Sequence, residues 1–213
     1  MKQLSILSIL ILAACSQSEN PEFIEPEFEA VAGIYSLELV QEGKYNIKSR
    51  SIGYASFSQT GEVVTLEIEL KGMTPNSSKA VHIHNGSITT PGRHWNQHSF
   101  YAFCNEKSLG ELWEKPFAGD IGNVPIDANG NGKLILQTDF WALNSGDEKD
   151  ILDKILIVHE DPEDFAEECD PAHSHDHLHS NLKIGGGQIT LTSDVEQKNQ
   201  QIMTRFPDFT VCK

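Results

Sequence analysis

Two histidines, His82 and His84, alternate with aliphatic residues in a short stretch of the chain. Successive side chains of a β-strand point to opposite faces, so a strand here would present both imidazoles on one face. A third histidine, His94, precedes a tryptophan, and a fourth, His159, ends the apolar run 155–158. Imidazole suits copper, zinc, iron and nickel, and square-planar nitrogen sites point to Cu(II). The pattern therefore predicts a metal site with redox chemistry.

The elements that would carry these histidines are short runs of alternating or apolar residues. They predict strands at 34–40, 52–58, 63–70, 81–84, 133–138, 155–159 and 188–192. Turn residues at 60–62 and a strong Asn-Gly turn at 129–132 separate some of these runs. No long amphipathic helix pattern competes with them. We therefore predict an all-β fold, a Greek-key antiparallel β-sandwich or barrel.

Two long segments, 85–120 and 160–187, lack the strand pattern, and each begins directly after a candidate ligand, His84 or His159. Long irregular segments in a compact domain are usually functional or disordered. We expect both to be long loops that surround the metal site.

The N-terminus has a positive start followed by an apolar run, residues 4–14, that is too short to span a bilayer. The run ends in Leu-Ala-Ala before Cys15, which resembles a bacterial lipoprotein signal. This predicts a signal peptide at 1–14, lipidation of Cys15, a tether at 15–30, a β-domain at 31–193 and a tail at 194–213. The protein would then be anchored by lipid to a membrane of the cell envelope, facing the periplasm or the surface. An ordinary secretory signal with a coincidental cysteine is the alternative.

The net charge of −15 and the pI near 4.9 exclude nucleic-acid binding as a main role, because phosphate contacts need a basic face. Export to an oxidising compartment favours disulfides. The remaining cysteines, Cys104, Cys169 and Cys212, are odd in number, and their spacing does not select a pair. Nor does the sequence specify an oligomeric state.

Five landmarks in order resemble the copper/zinc superoxide dismutase family. They are residues 82–84, 92–96, 119–123, 157–160 and 184–187. The resemblance covers residues 31–191 and implies a β-sandwich that converts superoxide to dioxygen and hydrogen peroxide. It also implies that His82, His84 and His159 bind copper, that His94 bridges copper and zinc, and that Asp120 binds zinc.

The expected zinc site departs from the family pattern. The position three before Asp120, usually histidine, is Phe117, and His98 lies closer to His94 than the family spacing predicts. His98 is either a displaced zinc ligand or a surface histidine. Zinc strongly prefers four ligands in a structural site. A fourth ligand would have to come from the alternating histidines at 173–179, which otherwise form a metal-capture arm or a flexible polar loop. We expect copper, with zinc as a second metal only if this reduced site still forms.

Other departures concern the disulfide and the charged groups beside copper. The family's usual disulfide is absent, since the aligned position is Gly186 and residues 85–93 contain no cysteine. We favour instead a Cys104–Cys169 bond, which would join the two long loops, with Cys212 able to replace either partner. Where the family has an arginine beside copper, this chain has Lys183, which keeps the charge but loses the forked donor set. Glu163 and Asp164 are candidates for orienting a metal-bound histidine.

The leading functional hypothesis is an envelope superoxide dismutase, and the alternative is a non-enzymatic copper or zinc binder on the same fold. The net charge of −15 repels superoxide at long range, with Lys183 and Arg93 as the nearby positive groups. We therefore predict a slower enzyme than the fastest members of the family.

Overall fold

The computed structural model of this 213-residue chain describes residues 25–96, 118–163 and 181–193. The described residues form ten β-strands. The strands are β1 (Phe28–Gln41), β2 (Lys44–Thr60), β3 (Val63–Leu70), β4 (Ser78–Ser87), β5 (Thr90–His94), β6 (Asp120–Pro125), β7 (Gly132–Thr138), β8 (Ile155–His159), β9 (Lys183–Gln188) and β10 (Thr190–Leu191).

The strands pair in the order β5-β4-β8-β9-β1-β2-β3-β7, with β6 beside β4 and β10 beside β1. Every pairing between them is antiparallel. Because β8, β9, β1 and β2 lie between β3 and β4, the connection from β3 to β4 crosses the sheet, as in Greek-key folds. The prediction of an all-β antiparallel fold is confirmed.

The alternation seen in the sequence becomes an inner and an outer face. In β3, Val64, Leu66, Ile68 and Leu70 are buried, and the residues between them are more exposed. The turn before β3 has Gly61 at φ +58°, a left-handed conformation that glycine adopts without steric cost. Inner residues of the other strands complete the main apolar core, and a smaller cluster forms around Leu37, Tyr45, Ile155 and Ile157.

Strand β4 positions the candidate site because it has neighbours along both edges. One edge pairs with β8, and the other pairs with β6 along its first half and with β5 along its second half. A strand enclosed on both edges is rigid, so its side chains keep their direction.

The two predicted long loops are partly wrong, because β5 and β6 lie at the ends of segment 85–120 and β9 lies in segment 160–187. Strand β9 could not be recognised in the sequence because three of its residues are glycines, which are poor strand formers. Its position between β8 and β1 requires them: a Cβ on Gly186 would lie 2.9 Å from Ile157 Cδ1, and one on Gly187 would collide with the Gly33 carbonyl oxygen. Close backbone packing decides this strand, and local propensity does not.

The first strand starts at Phe28, so the last residues of the range assigned to the tether belong to the sheet. Ala30 is fully buried there. The predicted signal peptide, Cys15 and the predicted tail at 194–213 lie outside the described residues. Among the residues that are described, no helix has the length and apolar character needed to cross a bilayer.

Candidate metal centre

Four buried histidines meet at one point of the domain. They are His82 and His84 from β4, His94 at the end of β5 and His159 at the end of β8. One ligand atom from each lies within 4.8 Å of all the others. These are the four histidines that the sequence analysis selected.

The sheet register explains why they meet. His84 pairs directly with His94 across β4 and β5, and β8 runs along the opposite edge of β4 with Val158 opposite Val81. His82 lies opposite Ile157, so His159, two residues further along β8, shares the face of His82 and lies diagonally beside it. The ring centroids of His82 and His94 lie 4.0 Å apart, and those of His82 and His159 lie 4.8 Å apart.

Main-chain carbonyl groups orient two of the rings. The Nδ1 of His84 lies 2.9 Å from the Gly92 carbonyl oxygen, and the Nδ1 of His159 lies 3.1 Å from the Asn181 carbonyl oxygen. A carbonyl oxygen only accepts, so each Nδ1 carries the proton and donates it. The two Nε2 atoms are then left with lone pairs that face each other across 3.3 Å. A cation between them removes this repulsion.

A carboxylate approaches the third ring. Glu163 Oε2 lies 3.7 Å from His82 Nε2, and the side chain of Glu163 is only 9% exposed. Asn123 holds the Glu163 backbone on both sides: its Oδ1 accepts the Glu163 N–H at 2.8 Å, and its Nδ2 donates to the Glu163 carbonyl at 2.9 Å. Within the described residues, His82 Nδ1 has no hydrogen-bond partner and is available as a ligand atom.

A second carboxylate contacts the fourth ring. His94 Nδ1 lies 2.8 Å from Asp120 Oδ1, and both side chains are 1% exposed. Asp120 opens β6 and pairs with His82 of β4, which places its side chain beside the cluster. The structure therefore brings together His94 and Asp120, as expected, but in direct hydrogen-bond contact.

Burial favours the neutral form of two of these rings. It lowers the pKa of His82 and His84 well below 6.5, and the neighbouring imidazoles of His94 and His159 lower both further. Neutral imidazole is the form that binds a metal.

Lys183 lies beside the cluster, directly opposite His159 in the pairing of β8 and β9. The residue is 7% exposed, and burial lowers the pKa of its ammonium group. Its positive charge also contributes to the lowered pKa values of His82 and His84. The register and the electrostatic contact place a cation next to the histidines.

The four histidines suit copper. Imidazole nitrogens bind first-row metals at about 2 Å, so opposite ligands of one ion stand about 4 Å apart. A cluster of ligand atoms within 4.8 Å reaches that geometry with small side-chain adjustments. Zinc fits less well, because His94 Nδ1 and Asp120 Oδ1 are 2.8 Å apart, closer than the about 3.3 Å at which tetrahedral zinc would hold two of its ligand atoms.

The remaining predicted site residues lie outside the described part of the chain. These are His98, the histidines at 173–179, Asp164, Cys15, Cys104, Cys169 and Cys212. Their proposed roles stay predictions.

Sequence reasoning missed the main-chain groups that orient the rings, the carbonyls of Gly92 and Asn181. It also missed the buried Lys79, whose Nζ donates to Glu160 Oε1 at 2.9 Å directly after His159. No local signal reveals such partners, since only the sheet register brings them to the site.

Comparison with known proteins gives a consistent answer. Residues 51–189 match the family described as copper/zinc superoxide dismutase. The chain is 29% identical over 150 residues to superoxide dismutase (Cu-Zn) 1 of Aquifex aeolicus, which covers 66% of this chain and 87% of that protein. It is 28% identical over 131 residues to superoxide dismutase (Cu-Zn) 2 of the same organism, covering 60% and 75%.

Among solved structures, the crystal structure of the clock protein EA4 is similar, with a TM-score of 0.54 and 21% identity. The match covers 79% of this chain and 97% of that one, and it supports the fold alone.

Proposed function

The chain belongs to the copper/zinc superoxide dismutase family, and on that premise we propose how its own residues convert superoxide to dioxygen and hydrogen peroxide. The observation that carries the proposal is the buried cluster of His82, His84, His94 and His159. A copper ion held by these four residues would supply one-electron redox chemistry.

The histidines would hold the metal through nitrogens whose direction is already set. His84 and His159 offer Nε2, because their Nδ1 atoms donate to main-chain carbonyls. His82 offers Nδ1, because Glu163 lies on its Nε2 side. Outer partners of this kind fix the tautomer and orientation of a ligand and raise its basicity.

His94 is the proposed proton carrier. Two superoxide anions give dioxygen and hydrogen peroxide only when two protons are supplied. The Nδ1 of His94 is engaged by Asp120, so Nε2 is the atom that would hold the metal and that could carry a proton.

Lys183 is the proposed attractor of the anionic substrate. Its buried ammonium contributes a positive charge beside the histidines, although the chain carries a net charge of −15. Local fields at a cleft govern steering more than net charge does. Because lysine lacks the planar fork of arginine, the substrate is aligned less tightly, and a lower rate than in the fastest family members follows.

The test is superoxide consumption by the copper-loaded protein and by a His94→Ala variant. We expect copper-dependent turnover in the parent protein and its loss in the variant. Alanine replacement of His173, His175, His177 and His179 is the matched control and should leave turnover unchanged. Stoichiometric copper without turnover would instead favour the non-enzymatic metal binder, whose capacity would fall with the control replacement.

For location, we propose a lipid anchor at Cys15 and an envelope site. The support is the apolar run 4–14 followed by Leu-Ala-Ala before Cys15. Acyl chains contribute about 0.8 kcal/mol per buried CH₂, so several chains would hold the protein at a membrane. Expression in a bacterium, followed by fractionation, should find the parent protein in membranes and Cys15→Ser in the soluble fraction. A soluble parent protein would refute the anchor.

The proposed Cys104–Cys169 disulfide rests on the expected export and on the positions of these two cysteines in the two predicted long loops. Thiol counting under denaturing conditions should find Cys212 as the free thiol of the mature domain, and mass spectrometry of a digest should recover the linked peptide. A linked peptide that contains Cys212 would replace this pairing.

A further inference from the structure

We infer that Asp120 itself orients His94, and that superoxide dismutation by this chain therefore does not require zinc. The inference rests on the proposed function for its activity. Its geometric part, the direct contact between His94 and Asp120, stands separately.

The distance between the two groups is the first argument. His94 Nδ1 and Asp120 Oδ1 are 2.8 Å apart. A zinc ion bonded to nitrogen and oxygen at about 2.0–2.2 Å in tetrahedral geometry would hold those atoms about 3.3 Å apart or more. A separation of 2.8 Å is instead the usual length of a charge-assisted N–H···O⁻ hydrogen bond.

The second argument is that the sheet alone places Asp120. The preceding residue, Gly119, accepts the Ile83 N–H at 2.8 Å and donates its own N–H to the Trp95 carbonyl at 3.2 Å. A Cβ on Gly119 would lie 2.7 Å from the Trp95 oxygen and 2.9 Å from the Ile83 oxygen, so only glycine allows this approach. Asp120 is thereby held next to His94 by the main chain, with no metal needed to draw the two together.

Ala118, the residue before Gly119, is also held by hydrogen bonds at both of its main-chain groups. The Ala118 carbonyl accepts a hydrogen bond from Trp141 Nε1 at 2.6 Å, and the Ala118 N–H donates to Asn96 Oδ1 at 3.2 Å. Trp141 is 1% exposed and packs edge-on against Phe57 with ring centroids 6.3 Å apart. The position of Asp120 is therefore tied to the apolar core.

The consequence is a defined tautomer of the neutral His94 ring. In the 2.8 Å contact, His94 Nδ1–H donates to Asp120 Oδ1, which leaves Nε2 as the atom that would bind copper. Zinc at the same nitrogen would require that proton to leave. Asp120 therefore orients the His94 ring and raises its basicity, as an outer carboxylate commonly does for a metal-bound histidine.

The experiment loads the full mature chain with copper alone, then adds zinc. We expect that adding zinc changes the turnover per bound copper by less than twofold. We also expect the Cu(II) electron paramagnetic resonance spectrum to stay unchanged within its line width. A several-fold rise in turnover, or a new spectrum at one zinc per chain, would overturn the inference. Turnover absent under both conditions would refute the proposed function, while the spectrum would still test the contact.

Asp120 variants sharpen the test in zinc-free protein. Asp120→Ala should change the Cu(II) spectrum and weaken copper binding by about 10–100-fold, whereas Asp120→Asn, which keeps an acceptor oxygen, should lie between it and the parent. Glu67→Gln on the exposed face of β3 is the control. If Asp120 acts only through zinc, both Asp120 variants will match the parent in zinc-free protein, and that result would refute the inference.

Discussion

The two halves of the histidine cluster are held in different ways. His84 and His159 donate their Nδ1 protons to main-chain carbonyls, while His82 and His94 face the carboxylates of Glu163 and Asp120. A main-chain carbonyl orients a ring without adding a charge. Substitution of the residue that carries the carbonyl does not remove this group. A carboxylate adds negative charge, raises the basicity of the ring and is removed by a single substitution. The carboxylate half is therefore where the chemistry of the site is adjusted.

The largest effect is expected from removing a ring of the carbonyl-held half. His84→Ala deletes a ligand and leaves the Gly92 carbonyl without its donor. Copper affinity and turnover should both fall by more than about 100-fold, beyond the range typical of outer partners. Metal analysis after dialysis and a superoxide assay measure the two losses. Full copper occupancy in this variant would show that His84 is not a ligand.

A smaller loss is expected from the carboxylate half. Glu163→Gln keeps the size of the side chain and its backbone contacts with Asn123 but removes the charge near His82 Nε2. Copper affinity should fall by about 10–100-fold, measured by competition with a chelator. Glu160→Gln serves as the neighbouring control, because Glu160 contacts Lys79 and not the histidines. Equal losses in both variants would indicate a general disturbance of this segment.

A smaller effect again should follow from changing the cation beside the cluster. Lys183→Ala should lower kcat/KM by about tenfold at low salt and flatten its dependence on ionic strength, because local attraction of the anion is lost. Lys183→Arg should retain or raise kcat/KM, since arginine adds a forked donor set. An unchanged salt dependence in Lys183→Ala would remove Lys183 from substrate attraction.

The remaining prediction concerns the stability of the metal-free protein in acid, which tests the burial of the two β4 histidines rather than the reaction. His82 and His84 have pKa values well below 6.5 in the folded state, so the unfolded chain binds more protons once the pH falls below about 6.5. The contribution of these two groups to the free energy of unfolding should therefore be complete above that pH. Below it, the free energy of unfolding should decrease by up to about 1.4 kcal/mol per group and pH unit. Urea unfolding of metal-free protein at pH 7.5 and 5.5 measures this. Combined replacement of His82 and His84 by glutamine should flatten the decrease.

The four histidines could be predicted from the sequence because the patterns that mark them are local. The alternation of His82 and His84 fits one strand, and His159 ends an apolar run that fits another. The hairpin of β2 and β3 was equally readable, since the turn at Gly61 separates two alternating runs. Local periodicity carried all three predictions.

The same reasoning failed where local propensity and tertiary packing disagree. β9 is rich in glycine and reads as a loop, yet the close approach of β8 and β1 makes glycine necessary there. β5 contains a proline and a glycine and becomes a strand only by pairing with β4. Neither strand can be recognised before its neighbours are in place.

By itself, the sequence determined the all-β class, the identity of the four histidines and the family resemblance, because residue types and short spacings record them directly. Only the tertiary structure decided which nitrogen of each ring faces the cluster and that Asp120 contacts His94 at 2.8 Å. Those features depend on atoms from strands far apart in the chain, such as the Gly92 and Asn181 carbonyls. Register between strands sets such contacts, and register is settled by the packing of the whole sheet.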